Sequence, residues 1–272
     1  MNRFGTVVIG GGQAGLVMGY HLRRLGEDFV ILEGLPRVGD SWRRRYDSLR
    51  LFSPPRYASL PGLPIPVDDC PTRDEMGDYL EQYAAHFELP VRTGVRVLRV
   101  SRDAESFRVE TDEGEYLADR VIVAGGSHTV PQRPSFASEL DPSIRQLHSL
   151  EYRNPEQLAD GTVLVVGAAN SGTDIALEAA KTHRTLLAGR HPGQVPVDID
   201  SGRGRMILPI VMFVFRHVLT RRTPMGRKAL AEREGHGVML VRNKLADLDA
   251  AGVVATSRIS LDVAPRVTSI LR

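Results

Sequence analysis

The 272 residues suffice for about two domains of ordinary size, and 42% hydrophobic with 25% charged residues is typical of a globular protein that buries sizeable cores. The formal net charge of +2 excludes a strong overall field for nucleic acid or another acidic polymer. The single cysteine, Cys70, excludes an internal disulfide framework and a Cys-x-x-Cys redox pair, and the N-terminal apolar stretch at 6–9 is too short for a signal peptide, so a cytoplasmic location is expected.

The first motif lies at the N-terminus, where an apolar run at 7–9 turns on glycines into a helix-forming stretch at 16–25. Gly10 allows the tight turn after a strand, Gly12 lets the backbone approach a pyrophosphate, and Gly15 lets the helix pack closely on the strand. The helix N-terminus then faces the phosphates. This pattern predicts a dinucleotide-binding turn.

A second strand supports this interpretation. Residues 29–32 are a short apolar run that ends in Glu33, about 20 residues beyond the glycines, where a carboxylate accepts a hydrogen bond from a ribose 2′-hydroxyl. The alternative is a glycine-rich turn before an ordinary helix. The order of strand, glycines, helix, strand and acid favours the nucleotide site.

Residues 34–66 lose all periodicity, and we expect a long ordered loop of functional importance there. Gly39 and Trp42 lie in this loop. Trp42, the only tryptophan, is either a core anchor or part of a cofactor wall, and the sequence favours neither. The arginines at 43–45 are interpreted as a solvated face rather than a phosphate clamp.

The rest of the first half predicts one helix and several strands. Thr72 and Glu75 have the spacing of a capping box that opens a helix extending to Phe87. Strands are expected at 91–100 and 106–111, with a hairpin turn at 112–115. A further buried strand at 120–123, which leads into glycines, is expected to return the chain to the first sheet.

The second half repeats the first. Residues 161–172 again form an apolar run ending in glycines, followed by a predicted helix at 174–181 and a strand at 185–188. At an offset of 157 residues, the positions of Gly10, Gly12, Gly15 and Glu33 hold Gly167, Ala169, Gly172 and Arg190, and His191 stands beside Arg190. Two matched units are much stronger evidence than one motif.

The difference between the repeats predicts two different nucleotides. Glu33 suits a free 2′-hydroxyl, whereas Arg190 pairs with a 2′-phosphate. The first site is therefore predicted to be FAD-like and the second NADPH-like. The methyl group of Ala169 projects where the backbone should approach the pyrophosphate, so it is expected to weaken the second site.

Residues 206–215 are strongly apolar and are bracketed by arginines. Ten residues cannot span a bilayer. A buried helix or the wall of a substrate channel is the preferred interpretation, and peripheral membrane contact through 206–220 is the alternative. The chain up to residue 245 is expected to close the second domain as helix.

Together these motifs resemble the flavin-containing monooxygenases over residues 5–245. Residues 10–15, including Gln13 and Ala14, resemble the FAD fingerprint of that family, and 39–42 with 46–50 resemble its flavin-side loop. Residues 123–126 resemble the segment that leads out of the FAD domain. Residues 167–172 resemble the NADPH fingerprint and retain its Asn170 and Ser171 beside Gly172. Residues 148–152 match the end of the identifying motif, whose Phe and Gly positions hold Pro142 and Ile144.

The resemblance implies an α/β protein with two Rossmann-like dinucleotide-binding domains, FAD-binding at 1–158 and NADP-binding at 159–272. Residues 252–272 do not resemble the usual return of the chain to the FAD domain, so this return is expected to be absent. In such enzymes NADPH reduces FAD, O₂ adds, and a peroxyflavin oxygenates a small organic substrate. No metal site is predicted.

Asn170 is the candidate catalytic residue that follows from the resemblance, and His148 is interpreted as structural. Two alternatives remain open. One is a flavin-dependent NADPH oxidase or reductase, and the other is an inactive nucleotide-binding module.

Overall fold

The computed structural model describes residues 2–103, 105–127, 129–190, 192–195, 202–232, 239–256 and 267–271. The chain forms two compact units, Met1–Pro131 and Gln132–Arg272. The strand at Arg145–Leu147 pairs within the second sheet and so belongs to the second unit.

The first unit contains a six-stranded sheet in the order β3-β2-β1-β6-β5-β4. Its strands are β1 (Asn2–Ile9), β2 (Phe29–Glu33), β3 (Val91–Thr93), β4 (Val97–Asp103), β5 (Ser106–Thr111) and β6 (Gly114–Val123). β1, β2, β3 and β6 run parallel, and β4, β5 and β6 form an antiparallel meander. Residues 29–32 of β2 are buried without alternation, as expected for a parallel strand covered on both faces.

Two details of this sheet differ from the sequence prediction. The expected strand at 91–100 is split into β3 and β4, since Gly94 has a φ of +77° and turns the chain from one neighbour to another. The hairpin turn is also tighter, because Thr111 pairs with Gly114 and leaves two central residues. The expected strand at 120–123 is the end of the longer β6.

Four helices accompany this sheet: α1 (Gln13–Arg24), α2 (Asp40–Arg43), α3 (Pro55–Ala58) and α4 (Arg73–His86). The predicted capping box is confirmed at α4, where the Glu75 N–H donates to the Thr72 hydroxyl and the Thr72 N–H donates to the Glu75 carboxylate. The segment at 34–66 is ordered, but it contains the single-turn helices α2 and α3 rather than loop alone.

The second unit contains a five-stranded, fully parallel sheet in the order β10-β9-β8-β11-β7. Its strands are β7 (Arg145–Leu147), β8 (Thr162–Val166), β9 (Arg184–Ala188), β10 (Val254–Thr256) and β11 (Val267–Leu271), and its helices are α5 (Asn170–Ala179), α6 (Gly202–Phe213), α7 (Pro224–Glu232) and α8 (Leu245–Ala250). A π-helical turn, Val214–Val218, extends α6.

The last part of the chain adds two strands to this sheet. β11 pairs with β8 on the side away from β9, just as β6 pairs with β1 on the side away from β2. The internal repeat therefore extends beyond the glycine motifs to this further strand.

The sequence favoured a buried helix or a channel wall at 206–215, but most of α6 is exposed in the structure. Met206, Ile210 and Phe213 have exposed fractions of 74%, 65% and 61%, and only Leu208 among its large apolar side chains is buried, at 8%. None of the helices in the described part of the chain has the length and apolarity that a bilayer crossing requires.

Candidate dinucleotide-binding turns

The first turn connects β1 to α1 through three glycines with different roles. Gly10 has a φ of +107° and its N–H donates to the carbonyl oxygen of Leu32 at 2.7 Å, which ties the turn to β2. A Cβ atom at Gly15 would overlap the carbonyl oxygen of Gly10. Gly10 and Gly15 are therefore required by the protein itself.

Gly12 is different, because nothing in the protein requires a glycine there. Its backbone is extended, with φ −80° and ψ −172°, and a Cβ atom built on it meets no other atom within 4 Å. The space in front of Gly12 is open to a ligand, and a side chain would narrow it. This is the geometry that the close approach of a pyrophosphate needs.

The first turn of α1 is also open to an anion. No side chain caps α1, and it has no acidic residue in its first turn. Helix α4 has both a cap and two acidic residues at its N-terminus, Asp74 and Glu75. Uncapped N–H groups and the positive end of the helix dipole favour a phosphate at α1.

Glu33 lies across this turn, as the sequence predicted. Its carboxylate accepts hydrogen bonds from the N–H groups of Gly11 at 2.6 Å and Leu35 at 2.8 Å, and the residue is half-buried. These two bonds fix the carboxylate at the end of β2. Each oxygen has a second lone pair, so the group can still accept from a sugar hydroxyl.

The second turn, between β8 and α5, has the same geometry. Gly167 has a φ of +109° and its N–H donates to the carbonyl oxygen of Ala188 at 2.7 Å. A Cβ atom at Gly172 would overlap the carbonyl oxygen of Gly167. Ala169 has φ −85° and ψ −176°, close to the values at Gly12, and α5 also begins without a side-chain cap or an acid in its first turn.

The strand register corrects the predicted match between Glu33 and Arg190. Ile9 pairs with Leu32, 23 residues along the chain, whereas the corresponding pair Val166 and Ala188 is separated by 22. The counterpart of Glu33 is therefore Gly189, which has a φ of +154° and lies close to the backbone of Ala168.

Arg190 follows one residue further on. Its side chain is exposed and forms no salt bridge with any residue that the structure describes. His191, which the sequence placed beside it, lies outside the described residues. Among the described residues, Arg190 is therefore an exposed cation without an ion-pair partner, next to the second turn.

Asn170 has a structural partner at the start of α5. Its amide nitrogen donates to the carbonyl oxygen of Met239 at 3.2 Å, and its amide oxygen accepts from the N–H of Val241 at 3.4 Å. Both ends of the side chain thus hold the segment at 239–241. This geometry gives Asn170 a positioning role, while Ser171 is half-buried in the first turn of the same helix.

Three further polar residues hold the chain just after this segment against α5, and the sequence did not point to them. Asp174 accepts hydrogen bonds from Arg242 at 3.0 Å and from Asn243, and Asp174 and Arg242 are largely buried. No motif marks these residues, because they are distant in sequence and meet only in the folded unit.

The structure gives Gly39 a packing role. Gly39 has a φ of +85°, and a Cβ atom on it would overlap the backbone of Gly77 in α4, so only glycine lets α2 approach α4 this closely. Trp42 in α2 is half-buried, and its two interpretations remain open.

Arg43 is not part of a solvated face. Its side chain is 13% exposed and donates to Asp78 at 2.7 Å and Glu81 at 2.9 Å. Burial alone lowers the pKa of Arg43, but the hydrogen bond and charge of Asp78 and the charge of Glu81 outweigh it and raise the pKa.

His148 lies in a compact turn after β7. Its Nδ1 accepts from the N–H of Leu150 at 3.1 Å, and its own N–H donates to Glu151 at 2.7 Å, which supports the structural interpretation. Burial raises the pKa of Glu151, but the hydrogen bonds from His148 and Arg133 lower it further than burial raises it.

An apolar pocket lies beside this turn, at the carboxyl edge of the second sheet. It is lined mainly by Phe136, Leu140, Leu147, Val166 and Ile270. The carboxyl edge is where open α/β sheets bind ligands.

The fold and the two turns define a protein with paired dinucleotide-binding units, and comparison with known proteins gives its family. The family described as pyridine nucleotide-disulphide oxidoreductase matches residues 7–197, and the chain belongs to it. A flavin-containing monooxygenase from Stenotrophomonas maltophilia has a similar structure, with a TM-score of 0.74 and 30% identity over 100% of this chain and 78% of that chain. The predicted resemblance to flavin monooxygenases and the predicted fold class are confirmed.

Two curated relatives agree with this placement. An uncharacterized CzcO-like oxidoreductase from Geobacillus kaustophilus is 45% identical over 68% of this chain and 54% of its own length. The indole-3-pyruvate monooxygenase YUCCA1 from Oryza sativa subsp. japonica is 36% identical over 64% of this chain and 44% of its own length. The chain thus spans about half the length of the curated relatives it matches.

Proposed function

We propose that this chain binds FAD at the first turn and NADPH at the second, and that the protein is a monooxygenase that oxygenates a small organic substrate. The observation that carries the proposal is the repeated geometry of the two turns. In both, one glycine with a φ near +108° turns the strand, a second lets the helix approach, and the helix begins without a cap or an acid.

The residues beside the turns support the choice of nucleotide. Glu33 presents a fixed carboxylate to a ribose that carries free hydroxyls, as FAD does. At the second turn Gly189 stands at the position that Glu33 has in the first unit, so no acid is present there. Arg190 supplies an exposed cation, which suits the 2′-phosphate of NADPH.

When bound, the two cofactors supply hydride transfer and oxygen activation, which no arrangement of side chains alone provides. The residues of the chain bind the cofactors, orient them and shield them from solvent. Gly12 and the open N-termini of α1 and α5 admit the phosphates, and Asn170 keeps the segment at 239–241 against the start of α5. No residue of the chain is required to act as a nucleophile.

The test of the first site is Gly12→Val in the purified protein. Because the Cβ position at Gly12 is empty, the variant should keep its fold but lose most of its bound flavin, measured by absorbance and circular dichroism. Ala169→Val is the matched control, and this variant should keep its bound flavin but bind NADPH more weakly. Full flavin in Gly12→Val would show that the first turn does not bind FAD.

The reaction itself is tested by comparing NADPH consumed with product and peroxide formed. A monooxygenase yields oxygenated product for each NADPH when a suitable substrate is present. Peroxide in equal amounts with every substrate tried would instead support the oxidase alternative, and protein without any flavin would support the inactive module.

A further inference from the structure

The exposed side of α6 forms a continuous apolar stripe. Met206, Ile210 and Phe213 are spaced i, i+4 and i+7, which places them on one side of a helix, and they are its most exposed large apolar residues. Leu208 lies on the opposite side and is buried. The helix is therefore held by one side and presents the other to solvent.

Other exposed apolar side chains lie in or after α6 along the chain, and they are Ile207, Met212, Phe215 and Met225. Single exposed apolar residues are normal on a protein surface, but a group on one side of a helix, like Met206, Ile210 and Phe213, marks a binding surface. We call the surface formed by these three residues the α6 face.

Basic residues precede and follow the apolar stripe along the chain. Between residues 202 and 231 the sequence has seven arginines and lysines and no aspartate or glutamate, although the whole chain carries only +2. Arg216, Arg221, Arg222 and Arg227 are exposed and form no salt bridge within the described part of the chain. Their charges are therefore available to a partner.

We propose that the α6 face docks on the surface of a bilayer that contains anionic phospholipid. The apolar stripe enters the boundary between headgroups and acyl chains, while the arginines around it contact the lipid phosphates. α6 and the π-helical turn are too short to cross the bilayer, so this segment would lie on the membrane surface.

The charge pattern favours a lipid surface over other occupants. A second copy docked symmetrically on the same face would bring two clusters of arginines together, which is unfavourable. A nucleic acid would use the arginines but would leave the apolar stripe in water. An anionic lipid surface matches both the charge and the apolar area.

The test is flotation of the full 272-residue chain with vesicles of phosphatidylcholine alone or mixed with phosphatidylglycerol. We expect flotation with the mixed vesicles, weaker binding as salt is raised, and little flotation with phosphatidylcholine alone. Arg221→Glu combined with Arg222→Glu should lower binding by about tenfold or more. Ile210→Asp combined with Phe213→Asp should abolish it.

The matched control is Leu25→Asp combined with Leu98→Asp, which changes two equally exposed apolar residues of the first unit and should leave binding unchanged. Equal binding of all variants, or equal binding to both kinds of vesicle, would overturn the proposal. Absence of flotation, with self-association that Ile210→Asp and Phe213→Asp remove, would also overturn it and assign the face to a second copy. Circular dichroism checks that each variant is folded.

Discussion

At the scale of single residues, the contrast between Gly12 and Ala169 is the most direct probe of the two turns. The two positions have nearly the same backbone angles, so alanine is unstrained at 169 and only its methyl group differs. Ala169→Gly should therefore strengthen NADPH binding by about fivefold, the effect of relieving a crowding cost near 1 kcal/mol. Titration with NADPH measures this, and flavin content should stay constant.

Arg190 should set the preference for NADPH over NADH. The 2′-phosphate is the group that distinguishes the two nucleotides, and a charge-assisted hydrogen bond to it contributes roughly 1.5 to 3 kcal/mol. Arg190→Ala should weaken the binding of NADPH on the order of 10- to 150-fold and change the binding of NADH little.

Arg190→Lys is the control for this prediction, because lysine keeps the charge but lacks the planar guanidinium group. Its affinity for NADPH should lie between those of the wild type and Arg190→Ala. An equal loss of affinity for NADH and NADPH in Arg190→Ala would instead mean that the residue stabilises the end of β9 and does not bind the 2′-phosphate.

Glu33 should contribute to stability as well as to flavin binding. Its two oxygens accept from two backbone N–H groups, and an amide side chain can accept at only one end. Glu33→Gln should lower the free energy of unfolding by about 1 to 3 kcal/mol and weaken FAD. Urea unfolding and flavin titration measure the two effects, and unchanged stability would contradict the geometry seen here.

At the scale of elements, the N-terminus of α4 gives a pH-dependent prediction. Hydrogen bonds from the N–H and hydroxyl of Thr72 lower the pKa of Glu75 from its usual 4.5. A lowered pKa in the folded state means that this stabilisation is present above pH 4.5 and is lost as the pH falls through the lower folded value.

Glu75→Gln keeps an acceptor but does not titrate. The stability difference between wild type and Glu75→Gln should therefore close as the pH falls below 4.5, and Thr72→Ala should cost about 1 kcal/mol at neutral pH. Urea unfolding across this pH range measures both. A constant difference would contradict the role of the ionised carboxylate.

The sequence predicted those elements whose cause is local. The capping box of α4, the glycine turns and the buried runs of β2 and β8 each depend on neighbouring residues, and all are found. Helix α6 was assigned correctly as a helix but wrongly as buried, since hydrophobicity alone does not say whether a partner covers it. The split between β3 and β4 depends on which distant strand each one pairs with.

The candidate site shows the same contrast between local causes, which the sequence reveals, and long-range ones, which it does not. The positions of Gly10, Gly12, Gly15 and Glu33 follow from spacing within one unit, and the structure brings them together around one turn. The one-residue difference that moves Gly189 into the place of Glu33 depends on strand register, which only the folded sheet reveals. The contacts of Asn170 with residues 239–241 are long-range for the same reason.

At the scale of the whole molecule, β11 should be essential to the second unit. It lies between β7 and β8, and Ile270 and Leu271 pair with both neighbours. A chain that ends at residue 266 leaves the facing backbone groups of β7 and β8 unpaired, which is costly in a buried sheet. We expect loss of NADPH binding and faster hydrogen exchange in β8 and β9, while the amides of β1 and β2 stay protected. Unchanged exchange in β8 would contradict this.

The hydrogen bond that closes each turn has a consequence for engineering. In both units a glycine N–H reaches the carbonyl oxygen of the second strand's last core residue, Leu32 or Ala188, and not a side chain. The residue that comes next still contacts the turn in each unit, because the Glu33 carboxylate accepts from the Gly11 N–H and a Cβ atom at Gly189 would lie 2.8 Å from the nitrogen of Ala168. An acid therefore cannot simply be moved from position 33 to position 189. Engineering of nucleotide preference in the second half should change Arg190 and leave Gly189 in place, so that the turn that holds the phosphates keeps its shape.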